Sequence, residues 1–196
     1  MPSWVMRTAI AAQANWRLQR NSCPPIAVNV SMSEATSGAL VGTIARLLNE
    51  FQMPTDALTV ELTESVIMKD PRIAMRVLSG LKQLGVLTAL DDFGTGYSSL
   101  SHLRQLPINA LKVDQSFTAD LTEDGHSRSL TQAIIRMAEA LKMTTIAEGV
   151  ETRGQLGWLR GQKCNVGQGY LFSPAVPADL VRFTSARIES NWNDLH

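Results

Sequence analysis

The chain has 196 residues, 44% of them hydrophobic, and its 18 basic side chains balance 18 acidic ones. That size and composition suit one domain, residues 1–196, with a substantial core. A net charge of +0 excludes a global field that would draw DNA or an anionic membrane surface, so an anionic ligand must be met by local groups or by metal.

No apolar run approaches membrane-spanning length. Cys23 and Cys164 form no metal-binding cluster and read as reduced cytosolic thiols in preference to a disulfide. The first stretch is predicted helical with Val5, Ala9 and Ala12 on one side. Arg7, Gln13, Asn15 and Arg17 interrupt its apolar run, which therefore does not read as a leader. Cys23-Pro24-Pro25 breaks that helix, and Ile26 to Val30 is a short strand. A helix with Leu40, Val41, Ile44, Leu47 and Leu48 at helical spacing follows. Leu58 to Glu64 alternates with period two, setting Leu58, Val60 and Leu62 against Thr59, Glu61 and Thr63 and sending Glu64 to the face opposite Glu61. Asp70-Pro71 supplies a cap and a first-turn proline, Gly85 ends the helix, and its face is Ile73, Val77, Leu81 and Leu84.

Val86 to Leu90 is predicted as a strand running into the pair Asp91-Asp92, a loop with two glycines and a helix that stops near Pro107. Ala110 to Asp114 is another strand. The loop around Glu123-Asp124-Gly125 leads to a helix carrying Leu130, Ile134, Met137 and Leu141. Thr144 to Glu148 is a strand, a helix passes through Leu156 and Leu159, and Cys164 to Gly169 follows it. A last helix starts near Pro177 or Ala178.

About six strand-then-helix units argue for a parallel sheet covered by helices, an α/β fold. Polar residues recur where strands end: Asn29, Glu61, Asp91 with Asp92, Lys112 with Asp114, Glu148 and Gln168. Barrel enzymes gather catalytic groups from several strand ends into one mouth, whereas an open sheet collects them from fewer strands at a switch point. A TIM-like β/α barrel is therefore expected. Each residue alone has a simpler explanation. Asn29 can satisfy a loop, Lys112 can pair with Asp114, Glu148 can cap a turn, and the acid pair can cap a helix. Their recurrence decides for a site.

Glu61, Asp91, Asp92 and Glu148, with Asn29 beside them, form an all-oxygen donor set that suits Mg²⁺ or Mn²⁺. Adjacent carboxylates also raise one another's pKa unless a cation or proton neutralises them. His102, His126 and His196 are scattered, which argues against zinc. Carboxylates around paired divalent ions are apparatus for phosphate-ester hydrolysis, and Lys112 would orient the nucleophile or offset developing charge. The Gly94-Thr95-Gly96 loop reads as a lid in preference to a phosphate cradle.

Asn29-Val30-Ser31, Glu61-Leu62-Thr63-Glu64-Ser65, the run from Asp91 to Leu100, Leu111-Lys112-Val113-Asp114, the run from Ala147 to Thr152, and Gln168-Gly169-Tyr170-Leu171-Phe172 together resemble the ordered motifs of the EAL family. These are bacterial phosphodiesterases that open the second messenger cyclic di-GMP to linear pGpG. The resemblance covers nearly the whole chain and implies a TIM-like barrel with two Mg²⁺ or Mn²⁺ ions. It implies Asn29, Glu61 and Asp91 as metal ligands, with Asp91 bridging and Asp92 serving the second ion. It implies that Lys112 and Glu148 hold the attacking water, that Asp114 and Gln168 support the site, and that Glu64 pins the loop after Asp92, near a dimer interface. A homodimer, a cytoplasmic setting, and upstream sensory or GGDEF-type domains in a longer parent are the implied context, with no DNA and no membrane contact from this segment.

Two departures stand out. The Glu-Ala-Leu motif that names the family is absent, so the barrel is expected to be incomplete at the N-terminus and residues 1–196 alone poorly active. Gln115 stands where Arg is common. A non-catalytic cyclic di-GMP receptor or protein-interaction module built on the same fold is the alternative to the enzyme.

Overall fold

The computed structural model of the chain describes residues 3–19, 23–94, 103–121 and 125–181. The expected lid from Thr95 to Ser99, the start of the helix before Leu103, Glu123-Asp124, most of the last helix, His102 and His196 lie outside the described residues.

Six parallel strands form one sheet in sequential order: β1 (Ile26–Asn29), β2 (Leu58–Thr63), β3 (Leu87–Phe93), β4 (Ala110–Val113), β5 (Thr144–Ala147) and β6 (Val166–Gly167). Sequential order is that of a barrel wall, since a doubly wound sheet reverses its order at a switch point. Among the described residues β1 and β6 each pair on one side, so the wall is a partial TIM-like barrel.

The helices are α1 (Ser3–Gln19), α2 (Met32–Thr36), α3 (Leu40–Glu50), α4 (Glu64–Lys69), α5 (Pro71–Leu84), α6 (Gln115–Thr118), α7 (Gly125–Ala140) and α8 (Arg153–Gly161). Local sequence accounts for several boundaries. The Asp70 carboxylate accepts hydrogen bonds from the N–H groups of Arg72 and Ile73, both at 3.1 Å, which satisfies donors that the first turn of α5 leaves open. Gly85 closes that helix at φ 86°, a conformation costly for any residue with a Cβ. Between them Ala74, Val77, Leu78 and Leu81 face the core. Leu58, Val60 and Leu62 of β2 are fully buried in the same core. Each such leucine contributes about 1.5–3 kcal/mol relative to exposure.

The face of α1 differs from expectation, and that of α7 differs at one residue. The buried residues of α1 are Met6, Ile10 and Gln13, with Val5 and Ala12 only half-buried. Gln13 looked like an interruption because it is polar, but its Nε2 donates to the Pro24 carbonyl at 2.6 Å, which makes burial tolerable. In α7 the expected Ile134, Met137 and Leu141 pack partly buried against the core beside the buried Thr131, Ile135 and Ala138, while Leu130 is exposed. Thr131 is tolerated in that face because its Oγ1 donates to the Phe117 carbonyl at 3.0 Å. Two strand ends also differ. β2 stops at Thr63, so Glu64 opens α4 instead of obeying strand alternation, and β3 continues through Asp91-Asp92 to Phe93. Both cysteines are free.

The close of the wall depends on a tight backbone crossing. Val150 N–H donates to the Gln168 carbonyl at 2.9 Å, and Leu171 N–H donates to the Val150 carbonyl at 3.0 Å. A Cβ on Gly169, at φ 155°, would lie 2.3 Å from both N and O of Val150. Gly157 on α8 has open space around it. Gly169→Ala is therefore expected to destabilise the protein by about 1–3 kcal/mol or more, and Gly157→Ala to stabilise it by about 0.5–1 kcal/mol. Denaturant titration of the two variants beside the parent checks this; equal midpoints would contradict the packing at Val150.

Candidate active site

The site starts from strand register. Asn29 of β1 pairs with Glu61 of β2, and Glu61 with Ala89 of β3, so these three share one face of the sheet. Between β3 and β4 the register shifts. Leu90 pairs with Leu111 and Phe93 with Val113, so Asp91 and Asp92 together stand opposite Lys112 alone. This is a β-bulge. In a regular strand consecutive side chains point to opposite faces, which would part the two carboxylates. Asp92 instead takes φ 55°, a left-handed conformation that Asp tolerates better than most residues. As a result oxygen atoms of Asp91, Asp92 and Glu148 lie within 4.8 Å of one another.

Lys112 is 4% exposed and reaches three carboxylates: Asp91 Oδ1 at 2.8 Å, Glu148 Oε1 at 2.8 Å and Glu61 Oε2 at 2.9 Å. Burial alone would push its pKa down. The hydrogen bonds to Asp91, Glu148 and Glu61 outweigh that and hold the ammonium above the usual lysine range. Lys112 is therefore held in its charged form at neutral pH.

Glu148 follows β5 directly and continues its ladder, donating its N–H to the Val113 carbonyl at 3.1 Å. Burial raises the pKa of its carboxyl; Lys112 opposes the rise without cancelling it, and the charges of Asp91 and Glu61 add to it. The pKa of Asp92 is raised as well, first by burial and then by the charges of Asp91 and Asp114, against the pull of Lys112.

The remaining expected residues take separate positions. Asp114 does not serve as the partner of Lys112, whose ion pairs go to Glu61, Asp91 and Glu148; it caps α6, accepting from Ser116 N–H at 3.0 Å and Ser116 Oγ at 2.5 Å. Asn29 is exposed at the end of β1. Gln168 follows β6 with its side chain exposed and its N–H donated to the Ala147 carbonyl at 2.8 Å, one strand from Glu148. Glu64 is buried, and its Oε2 accepts from Gly94 N–H at 3.3 Å. Thr118 and Gln155 were not singled out from the sequence, yet they contact the backbone around Glu148. The spacing Thr152-x-x-Gln155 is a capping-box signature that points to the second of them.

Glu61, Asp91 and Glu148 thus surround a single ammonium with Asp92 beside Asp91 and Glu148, leaving excess negative charge among oxygen donors. That donor set fits a hard divalent cation such as Mg²⁺ or Mn²⁺.

A family model described as EAL domain matches residues 1–175. An uncharacterized protein of Azorhizobium caulinodans is 43% identical over 182 residues, 91% of this chain and 25% of that protein. A Pseudomonas aeruginosa protein named a cyclic di-GMP phosphodiesterase is 40% identical over 181 residues, 92% of this chain and 31% of that protein. The chain therefore spans well under half of these curated relatives. A solved structure of the PaMucR phosphodiesterase, c-di-GMP complex, superposes with a TM-score of 0.87 at 34% identity, covering 91% of this chain and 72% of that one.

The raised carboxyl pKa values carry a stability consequence. A carboxyl whose folded pKa lies above its unfolded value favours folding at pH below the unfolded value, and that contribution is lost as pH rises through the folded pKa. In EDTA, the margin by which Asp92→Asn melts above the parent is expected to be larger at pH 7 than near pH 4. Thermal melts at both pH values check this. A variant less stable than the parent at pH 7 would contradict the cost of burial and repulsion assigned to the Asp92 carboxylate.

Proposed function

The chain belongs to the EAL domain family, and we propose on that premise that its site hydrolyses cyclic di-GMP to linear pGpG with a divalent cation, in second-messenger signalling. One observation carries the reading: the bulge that turns Asp91 and Asp92 to the same side, where Glu148 and Lys112 meet them. The name of the Pseudomonas relative and the c-di-GMP of the superposed PaMucR complex support it.

Asn29, Glu61, Asp91 and Asp92 would hold Mg²⁺ or Mn²⁺, two ions in a complete site. Bound there, such ions supply Lewis-acid polarisation of the phosphoryl group and a more acidic water. The other work falls to the chain. Lys112 uses one oxygen of each of its three carboxylates, which leaves the second oxygen of each to a cation. An ammonium held in its charged form cannot act as a base, so Lys112 orients the water and offsets negative charge as it develops on phosphate oxygen. Glu148, with its raised proton affinity, accepts the proton that water gives up. The water oxygen forms a new P–O bond as the ester P–O bond breaks, the departing ribose oxygen takes a proton from solvent, and Glu148 releases to solvent the proton it accepted. Asp114 and Gln168 support the strand ends, and Glu64 tethers the base of the following loop through Gly94.

The same reading extends to a homodimer, a cytoplasmic setting, and sensory or GGDEF-type domains in a longer parent. Among the described residues no helix is long and apolar enough to cross a membrane.

The test is pGpG formation from cyclic di-GMP by the full-length protein with Mn²⁺. Asp91→Asn is expected to remove cation binding and turnover together, because an amide lacks the charge and the second anionic oxygen. Lys112→Ala is expected to retain cation binding while turnover falls by about 10²–10³-fold. Turnover insensitive to EDTA, or near-parental turnover in Asp91→Asn, would contradict the proposal.

A further inference from the structure

We propose that Thr118 is a positioning residue for Glu148, acting through its backbone carbonyl; the inference rests on the hydrolytic reading above. Helix α6 begins two residues after the end of β4, the strand that carries Lys112, and it wedges between two loops of the site. On one side the Phe117 ring lies so close to Gly94 that a Cβ there would sit 2.6 Å from it. On the other side a Cβ on Gly149 would sit 2.7 Å from the Gln115 Cβ.

Thr118 joins this wedge to Glu148. Its side chain is fully buried, and its hydroxyl reaches the Glu148 carbonyl as well as the Gln115 carbonyl at 3.0 Å. A hydroxyl has one proton, and the Gln115 carbonyl already accepts from the Ala119 N–H at 2.9 Å, so the proton is assigned to the Glu148 carbonyl. Gln155 completes the grip. Its Nε2 donates to the carbonyls of Thr118 at 3.0 Å and Ala119 at 3.1 Å, while its Oε1 accepts from the N–H groups of Glu151 and Thr152, both at 2.8 Å. The Glu148 backbone is thus held from both ends, by Val113 at its N–H and by Thr118 at its carbonyl. Without that hydroxyl the carbonyl loses a buried donor, and the peptide is free to rotate toward another. A shift of that kind moves the carboxylate off Lys112 and off the water it would activate, and misplacement of about 1 Å costs up to about 10²-fold in rate.

The experiment compares Thr118→Val, which keeps the shape and loses the donor, with Thr118→Ser, which keeps the donor, in the full-length protein. Thr118→Val is expected to lower kcat by about tenfold or more, while KM for cyclic di-GMP and Mn²⁺ affinity stay near parental values. Amide exchange at Glu148 and Val150 should quicken, with Val60 and Leu62 of β2 unchanged. Thr118→Ser should restore both readouts, and Thr118→Ala substitutes for valine if that variant does not fold. Parental kcat in Thr118→Val, a loss of melting temperature with kcat per folded molecule unchanged, or failure of serine to rescue would each overturn the positioning role. If the parent releases no pGpG, the hydrolytic reading falls on its own. The exchange comparison then decides the positioning separately: quickened exchange at Glu148 with serine rescue supports it, and unchanged exchange overturns it.

Discussion

The ammonium of Lys112 is almost wholly buried, and the carboxylates of Glu61, Asp91 and Glu148 surround it from three other places on the wall. Taking such a charge out of water costs several kcal/mol, and mutual attraction offsets the cost only when the geometry is close. Contacts of 2.8–2.9 Å to all three partners meet that condition. They also couple β2, β3, β4 and the end of β5 to one another. A slip of one residue in any of these strands would turn its side chains to the other face and strand the ammonium. The ion cluster therefore helps to specify register, and register places the strand ends.

Within that frame, the bulge in β3 adds what a regular strand cannot. It sets two consecutive carboxylates against one lysine, so the site holds more negative than positive charge. Burial first, and then the charges of neighbouring carboxylates, raise the pKa values of Asp92 and Glu148, and a proton or a divalent cation can relieve that excess charge. Stability and function pull in opposite directions here: the groups best placed to bind a cation are those that repel one another without it.

Much of this architecture is legible in local sequence, where one residue type has one physical use. Asp70-Pro71 and Gly85 mark the ends of α5, and the alternation from Leu58 to Thr63 puts Glu61 on the face away from the core leucines. The acids at strand ends also mark where the chemistry gathers. The bulge is not legible, because a run such as Leu90-Asp91-Asp92-Phe93 reads equally well as a strand end followed by a loop. Its register depends on β4, far along the chain. The partners of Lys112 are hidden for the same reason. Asp114 is near in sequence but caps a helix, while Glu61 is 51 residues away and bonds the lysine. Apolar spacing leaves out Gln13 of α1 and Thr131 of α7, which are buried with their polar atoms satisfied by carbonyls.

The central claim is that the bulge in β3 creates a divalent-cation site while leaving Lys112 in place among its carboxylates. Anomalous scattering from crystals of the protein grown with Mn²⁺ tests it most directly. The expected result is manganese density against the carboxylates of Asp91 and Asp92, with Lys112 still in contact with Glu148. Manganese bound elsewhere on the wall, or none beside Asp91 and Asp92 at saturating concentration, would contradict it.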